Sequence, residues 1–484
     1  MRTTIMDNLV GYVVFPASNY LMNRKGIIGQ YREFTRSEWF REDVLRHVQF
    51  KKLSATLEQA ARHVPFYRER FRKLGLQPGD IRSLDDIRLI PALTRSDLMD
   101  AYREMVDERF AASIPVAEGA GRPSGEPIPL SRFRRHKLVR NTSSGSTGAP
   151  TVFFEDGSRT SMNWACEMRL KKWFGIGPGA REARMARLAT AYLPDSRSLN
   201  VRKHLWHQLI LPGTNLAEEE FALCIEKMRA FRPRVLWGYT SALTGLADYV
   251  RRNKIDTAAI PLQLAISWAA PLYGHEERLL RETFGCGISN IYGAREVGHI
   301  AALCPAGGLH VNQEYLLVES EPASAGAAHP GELLVTTLDA TPMPFIRYRM
   351  GDVAEVAPAG CGCGRQLQLL KNLLGRTGEI FHTKSGRMIS PNFWCRVFMS
   401  SEHADRIRRF QVVYTREKNL RIAIQRGDGY DEGTEWYIRS AVADNFTPDT
   451  ELAIVYVDRI EPTVSGKYLM VINEAKQQEA TWNR

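Results

Sequence analysis

The stretch Asn141-Thr142-Ser143-Ser144-Gly145-Ser146-Thr147-Gly148-Ala149-Pro150-Thr151 carries more information about the fold than any other part of the sequence. Consecutive hydroxyl residues interleaved with glycines let backbone N–H groups turn inward, and the hydroxyls add donors of their own. Such a segment is suited to wrapping a chain of phosphates. Its spacing is not that of the common P-loop, which places a lysine directly before the last hydroxyl residue. Read alone, the stretch is either a phosphate loop or a linker, and its surroundings have to decide.

On its carboxyl side the sequence alternates short apolar runs with amphipathic segments, the pattern of an α/β sheet protein. Val235–Tyr239, Leu262–Trp268, Glu332–Thr337 and Phe345–Tyr348 read as strands, and Thr240–Asn253 reads as a helix. On its amino side, residues 39–110 repeat apolar positions at helical spacing, punctuated by Pro65 and by Gly75 to Gly79. Residues 111–135 are rich in Pro, Gly and Ala and read as a loop. Gly375–Ser390 breaks the α/β texture. Beyond it, two strand-like runs (Phe410–Tyr414, Leu420–Gln425), a helix (Thr434–Asn445) and a strand (Glu451–Val457) predict a small α+β domain. A chain of 484 residues is in any case too long for one core of ordinary size.

Four further segments follow the hydroxyl-rich stretch in order. They are Tyr292-Gly293-Ala294-Arg295-Glu296, Tyr348-Arg349-Met350-Gly351-Asp352, Gly375-Arg376-Thr377-Gly378-Glu379 and Pro462-Thr463-Val464-Ser465-Gly466-Lys467. The ordered set resembles the adenylate-forming superfamily of acyl-CoA synthetases, peptide-synthetase adenylation domains and luciferases. With His63-Val64-Pro65-Phe66-Tyr67-Arg68, the helical part looks closest to the phenylacetate–CoA ligase branch and its capsule-biosynthesis relatives. The resemblance implies a large α/β domain over residues 1–376, mainly helical over 1–110, and a small mobile C-terminal α+β domain over 377–484. It also implies ATP and Mg²⁺ as cofactors, a carboxylic acid as substrate and an acyl-adenylate intermediate. The acceptor it implies is coenzyme A; transfer to an amine is the alternative, and a degenerate nucleotide binder is a third reading.

Each segment also has a physical reading. Bringing a carboxylate onto the α-phosphate of ATP joins two anions, so cations, donors and a metal must converge there. The resemblance places Ser143, Ser144, Gly145, Ser146, Thr147 and Gly148 on the phosphates, Glu296 on Mg²⁺ and Lys467 on both substrates, with a solvated charge at a helix start as the alternative for Glu296 and a surface lysine as that for Lys467. Asp352, an acceptor only, suits two ribose hydroxyls, or is an ordinary turn aspartate. Arg376 reaches the ribose or a phosphate, or makes an interdomain ion pair. Tyr292 and Gly293 lie on the nucleotide side, with the tyrosine stacking near the adenine or simply packing. Arg295 stands where the family has Thr or Ser, and its guanidinium either meets a phosphate or points away. Gly378 takes a hinge position at which two acidic residues are common, and glycine keeps a wide backbone range there.

Trp237, Gly238, Tyr239, Trp268, Ala269 and Ala270 occupy the positions that shape the acid pocket in the resembling family. Aromatic lining suits an aryl or other bulky apolar acid, with core packing as the alternative. Cys304, His310, Cys361 and Cys363 supply four soft ligands for a structural Zn²⁺, or are free thiols beside an unrelated histidine. Cys166, Cys224, Cys286 and Cys395 show no partner pattern and read as core; seven irregularly spaced cysteines fit a reducing compartment.

Composition is that of a globular chain, 44% hydrophobic and 25% charged, which excludes disordered and collagenous classes. The net charge of +11 draws anions, yet no nucleic-acid-binding signature accompanies small clusters such as Arg132, Arg134, Arg135 and Lys137. The longest apolar run, Leu9–Met22, contains Pro16, Ser18 and Asn19 and is too short to span a bilayer. It lacks a signal-peptide cleavage pattern, so a soluble cytoplasmic protein is the expectation. That run packs on the large domain or touches a membrane or partner. Oligomeric state is not legible.

Overall fold

Apolar strand runs in the middle of the chain build the sheet on which everything else is hung. The computed structural model of the chain describes residues 4–21, 24, 26–114, 138–142, 151–186, 203–214, 216–322, 330–339, 341–376, 380–385, 388–389, 393–394, 397–398, 403, 406–427, 429–460 and 469–474. β1 (Val139–Thr142) and β2 (Val152–Glu155) form an antiparallel hairpin that brackets the hydroxyl-rich segment. β3 (Glu182–Ala186), β4 (Gln208–Pro212), β5 (Val235–Tyr239), β6 (Leu264–Trp268) and β7 (Gly287–Ala294) pair in parallel. From β7 the sheet continues antiparallel through β8 (Gly298–Leu303), β9 (Leu309–Val311), β10 (Leu316–Glu321), β11 (Gly331–Thr337), β12 (Tyr348–Ala357) and β13 (Leu369–Arg376). Among the described residues this is one 11-stranded sheet in the order β10-β11-β12-β13-β9-β8-β7-β6-β5-β3-β4.

The parallel half is covered on both faces, which is why its strands read as continuous apolar runs rather than alternating ones. Leu236, Ala265 and Ile288 face the helices Glu218–Phe231, Thr240–Arg252 and Gly274–Phe284. Val235, Trp237, Leu264 and Ile266 face the helix Gly157–Trp173 through Leu170 and Trp173. Gly238 lets this packing close, since a Cβ there would lie 2.9 Å from Leu243 Cδ2.

The amino-terminal part is helical over Glu42–His63 and Pro65–Leu74. Pro65 sits in the first turn, where its missing N–H costs nothing, and Gly75 closes the helix at φ +63°. The helical reading of residues 39–110 is corrected beyond that point. Pro78–Asp80 and Asp85–Leu89 are single 3₁₀ turns, and only Arg95–Ala101 returns to α-helix. A second correction concerns Phe345–Tyr348. The strand begins at Tyr348, because Arg347 adopts φ +52° and its N–H bonds the Thr336 hydroxyl instead of a backbone carbonyl of β11.

Tyr67 explains how the helical part docks. It is fully buried. Its hydroxyl donates to the Pro344 carbonyl at 3.0 Å and accepts from the Ile346 N–H at 3.1 Å. The loop preceding β12 is thereby fixed from outside the sheet.

In the C-terminal region, β14 (Phe381–His382) pairs with β15 (Met388–Ile389). β16 (Ile407–Tyr414), β17 (Leu420–Arg426), β18 (Leu452–Tyr456) and β19 (Val471–Asn473) form a second sheet in the order β18-β17-β16-β19. The helix Glu432–Ala443 supplies Ile438 and Val442 to its own core with Phe381, Trp394, Phe398, Phe410 and Tyr414. The architecture is a large α/β domain with a smaller C-terminal domain.

Candidate active site

Of the residues singled out in the sequence, Ser143, Ser144, Gly145, Ser146, Thr147, Gly148, Gly378 and Lys467 lie outside the described residues, as does Cys395. Tyr239, Trp268, Tyr292, Arg295 and Glu296 lie at or just beyond the carboxyl ends of β5, β6 and β7, where open α/β sheets bind ligands, and Asp352 and Arg376 reach Tyr292 from the antiparallel strands. Tyr292 stands near the end of β7, Asp352 on β12 and Arg376 on β13. Asp352 and Arg376 are direct partners in the β12–β13 ladder. The Tyr292 hydroxyl donates to Asp352 Oδ2 at 2.7 Å, and Arg376 Nε lies 3.8 Å from Asp352 Oδ1. Burial first, and then the neighbouring Asp352 charge, push the Tyr292 phenol well above its ordinary range. It stays a neutral donor that orients the carboxylate. Arg376 thus makes an ion pair within the large sheet.

Glu296 lies in the turn between β7 and β8, not at a helix start, and is 8% exposed. Arg159, on the helix that follows β2, donates to its backbone carbonyl. The Tyr348 hydroxyl bonds its carboxylate; burial and that charge raise the Tyr348 phenol. Among the described residues no Lys or Arg pairs with Glu296 within 4.0 Å, leaving a buried carboxylate without a cation. That is the environment a hard divalent cation suits. Sequence reasoning quoted Tyr348 but gave it no role; its place four residues before Asp352 in one motif was the available signal. Arg159 carried no signal at all.

Arg295 donates from Nη1 to the Thr142 carbonyl at 2.7 Å. Of the two readings of this departure, the described structure has the guanidinium on Thr142, the last residue of β1.

The six pocket candidates divide. Trp237 is fully buried, with the Arg184 guanidinium 4.4 Å from its ring centroid and 4.8 Å from that of Trp164. Glu167 and Glu182 hold that arginine at 2.5 and 2.7 Å, and His299 Nε2 lies 3.2 Å from Glu167. Burial opposes ionisation of Glu167, but Arg184 and His299 overcome it and hold the acid down to about 2. Tyr239 and Trp268 are half-buried and edge-to-face at 6.1 Å. Ala269 and Ala270 are exposed beside them. Ala269 takes φ +69°, and Thr240 and Asn290 pin the turn by donating to the Ala270 carbonyl at 3.2 and 3.3 Å. A non-glycine residue held in that region is the kind of local strain that fixed ligand walls carry.

Cys304, His310, Cys361 and Cys363 converge so that their ligand atoms all lie within 4.8 Å of one another. Cys304 Sγ is 3.5 Å from Cys361 Sγ, and His310 Nε2 is 3.1 Å from Cys363 Sγ. His310 Nδ1 lies 3.4 Å from the Leu367 carbonyl, which orients the ring. Gly308 leaves the space they need, since a Cβ there would fall 2.6 Å from Cys361 Sγ. Cys166, Cys224 and Cys286 are buried in cores as expected.

Comparison with known proteins follows the same lines. Residues 381–474 match the CapK C-terminal domain family. The chain is 25% identical over 387 residues to a phenylacetate–coenzyme A ligase of Thermus thermophilus, covering 78% of this chain and 79% of that one. It is 21% identical over 348 residues to Protein CapK of Staphylococcus aureus, covering 71% and 76% respectively. In three dimensions it matches 2-hydroxyisobutyryl-CoA ligase in the postadenylation state in complex with R3-HIB-AMP. The TM-score is 0.70 at 18% identity, over 93% of both chains. The chain is a homologue of the phenylacetate–coenzyme A ligases and of CapK, built on the fold of the adenylate-forming CoA ligases.

Proposed function

We propose that this protein is an AMP-forming ligase that activates a carboxylic acid as its adenylate and passes the acyl group to coenzyme A. The observation that carries the reading is the convergence of Tyr292, Asp352 and Arg376 beside the buried Glu296, in a homologue of such ligases. Asp352, oriented by Tyr292, accepts from the ribose hydroxyls. Arg376 holds the ribose or a phosphate, and Ser143–Gly148 give the phosphates their donors. Glu296 would hold Mg²⁺, which supplies Lewis-acid screening of the phosphate charge when bound. Lys467 places the acid's carboxylate against the α-phosphorus; a P–O bond to that carboxylate forms as the bond to pyrophosphate breaks. Rotation of residues 377–484 about Gly378 then admits the acceptor. The coenzyme A sulfur, having lost its proton, attacks the acyl carbon and AMP leaves.

Tyr239 and Trp268 offer the acid an aromatic wall, which favours an aryl or other bulky apolar acid. Trp237 supports that wall from the core. Acid-dependent ATP–pyrophosphate exchange across aryl, fatty and amino acids tests the reading, with AMP release on adding coenzyme A or amines identifying the acceptor. Exchange following one acid class is expected. ATP binding with no exchange for any acid would leave a degenerate nucleotide binder.

We also propose that Cys304, His310, Cys361 and Cys363 hold a structural zinc ion. Tetrahedral zinc with Zn–S near 2.3 Å sets sulfur atoms about 3.8 Å apart, and the four ligand atoms already meet that scale. Protein purified without chelators is expected to contain about one zinc per chain by mass spectrometry, and the Cys361→Ser/Cys363→Ser variant almost none. Wild-type protein free of zinc after growth in zinc-replete medium would refute the assignment.

A further inference from the structure

Residues 5–21 form one continuous helical rod, Ile5–Leu9, a π-helical turn Val10–Val14, and Phe15–Leu21. Thr4 caps its start by accepting from the Asp7 N–H at 3.1 Å. Pro16 has no N–H to give to the ladder and crowds the preceding turn, which accounts for the wide turn before it. One face of the rod is anchored. Asp7 lies 3.6 Å from His207 Nδ1 and 3.7 Å from Arg234 Nη1. Gly11 approaches Gly179 so closely that a Cβ would fall 2.5 Å from the Gly179 nitrogen. Phe15 packs edge-on between Trp164 and Trp206 at 4.9 and 5.2 Å.

The opposite face is apolar and open. Ile5 is 90% exposed, Met6 58%, Leu9 47%, Val13 55% and Leu21 68%, with Tyr12 and Tyr20 alongside at 40% and 59%. Seven of the 17 large hydrophobics exposed among the described residues therefore fall in this one rod. A surface helix ordinarily turns its polar side outward, so this inversion marks a docking face.

Charge identifies what docks. Tyr12 lies 6.3 Å from the Tyr31 ring, over which the exposed Lys172 ammonium sits at 6.0 Å, with exposed Arg32 adjacent in sequence. On the other flank, Trp206 donates to the Ser18 hydroxyl at 2.7 Å and brings with it exposed Lys203, His204 and Leu205. The acidic residue of the helix Ile27–Ser37 that carries Tyr31, Glu33, is engaged by Lys52 at 3.0 Å. An apolar strip with tyrosines and a cationic border, on a chain of net charge +11, complements an anionic lipid surface in both of its chemical features. No described helix is long and apolar enough to cross a membrane. We propose that this rod lies in the headgroup region of an anionic bilayer and holds the protein peripherally on it.

Co-sedimentation of the full chain tests this, using phosphatidylcholine vesicles with and without about 30% phosphatidylglycerol. Binding to the anionic vesicles only, weakened by raising NaCl from about 0.1 to about 0.5 M, is expected. Leu9→Asp/Val13→Asp should reduce the partition coefficient about tenfold or more, and Lys172→Glu/Lys203→Glu should reduce binding to the anionic vesicles alone. Both variants change exposed side chains and should keep the wild-type melting temperature. Wild-type protein left in the supernatant, or sedimentation unchanged by Leu9→Asp/Val13→Asp, overturns the proposal. So does light scattering that shows a dimer dissolved by the same pair of substitutions, since a second copy would then cover the face.

Discussion

Asp352→Ala is expected to lower kcat/KM for ATP in the exchange assay by about 10²–10³-fold. In the proposed complex this carboxylate accepts from two ribose hydroxyls. Hydrogen bonds to a charged group contribute about 1.5–3 kcal/mol each, so losing two is on the scale of 3–4 kcal/mol once partial solvation is allowed for. The substitution does further harm in the free protein. It removes the acceptor from the Tyr292 hydroxyl, 2.7 Å away, and the carboxylate from beside Arg376 in the adjacent strand. Asp352→Asn keeps the shape and an acceptor for Tyr292, and should fall between wild type and Asp352→Ala. Tyr292→Phe should do less than either, because it loosens the carboxylate without deleting it. The measurement is the ATP dependence of exchange for the three variants at matched stability. An unchanged KM for ATP in Asp352→Ala would remove Asp352 from the nucleotide site.

Lys467→Ala is expected to abolish most adenylation, again by roughly 10²–10³-fold, the scale of losing one cationic or hydrogen-bonding contact made in a transition state. What separates this from general damage is the second half-reaction. The lysine is proposed to serve the step in which two anions are forced together, and transfer from a preformed acyl-adenylate does not bring two anions together. Supplied with synthetic acyl-adenylate and coenzyme A, Lys467→Ala should form thioester at near wild-type rate. Near-normal exchange by the variant would end the assignment. Equal loss of both half-reactions would show damage not confined to the adenylation step.

The central architecture was legible because local chemistry and tertiary demand agree there. Val235–Tyr239 is apolar throughout and proves to be a strand covered on both faces, and β16, β17 and β18 differ from their sequence reading only at the ends, whereas the short strands β14, β15 and β19 had no strand reading. Phe345–Arg347 failed for the opposite reason. Its residues favour a strand, but the Tyr67 hydroxyl, 279 residues from Ile346, holds the segment as a loop. The candidate site was legible as a set of motifs and not as a set of contacts. Tyr292 was read as stacking or packing, and its hydroxyl partner lies 60 residues further on. Glu296 was read against a solvated alternative, and burial in the β7–β8 turn follows from packing that no local pattern encodes. Nothing about Trp237 in sequence signals that Arg184 stacks on it.

Arg376 is the final residue of β13 and is still in register with Asp352, so the ladder fixes the large sheet up to that residue. The described chain resumes at Ile380, whose N–H donates to the Arg376 carbonyl at 3.1 Å and whose own carbonyl accepts from Asn473 of β19. Three residues separate the two anchors, with two soft dihedrals each. If the small domain turns as a body about Gly378, the turn must be absorbed by about six torsions between these fixed ends. Under the proposed rotation, a span of only three residues would leave the small domain few orientations relative to β13. Inserted glycines would then add orientations, and the proposed alternation between adenylation and transfer would lose definition.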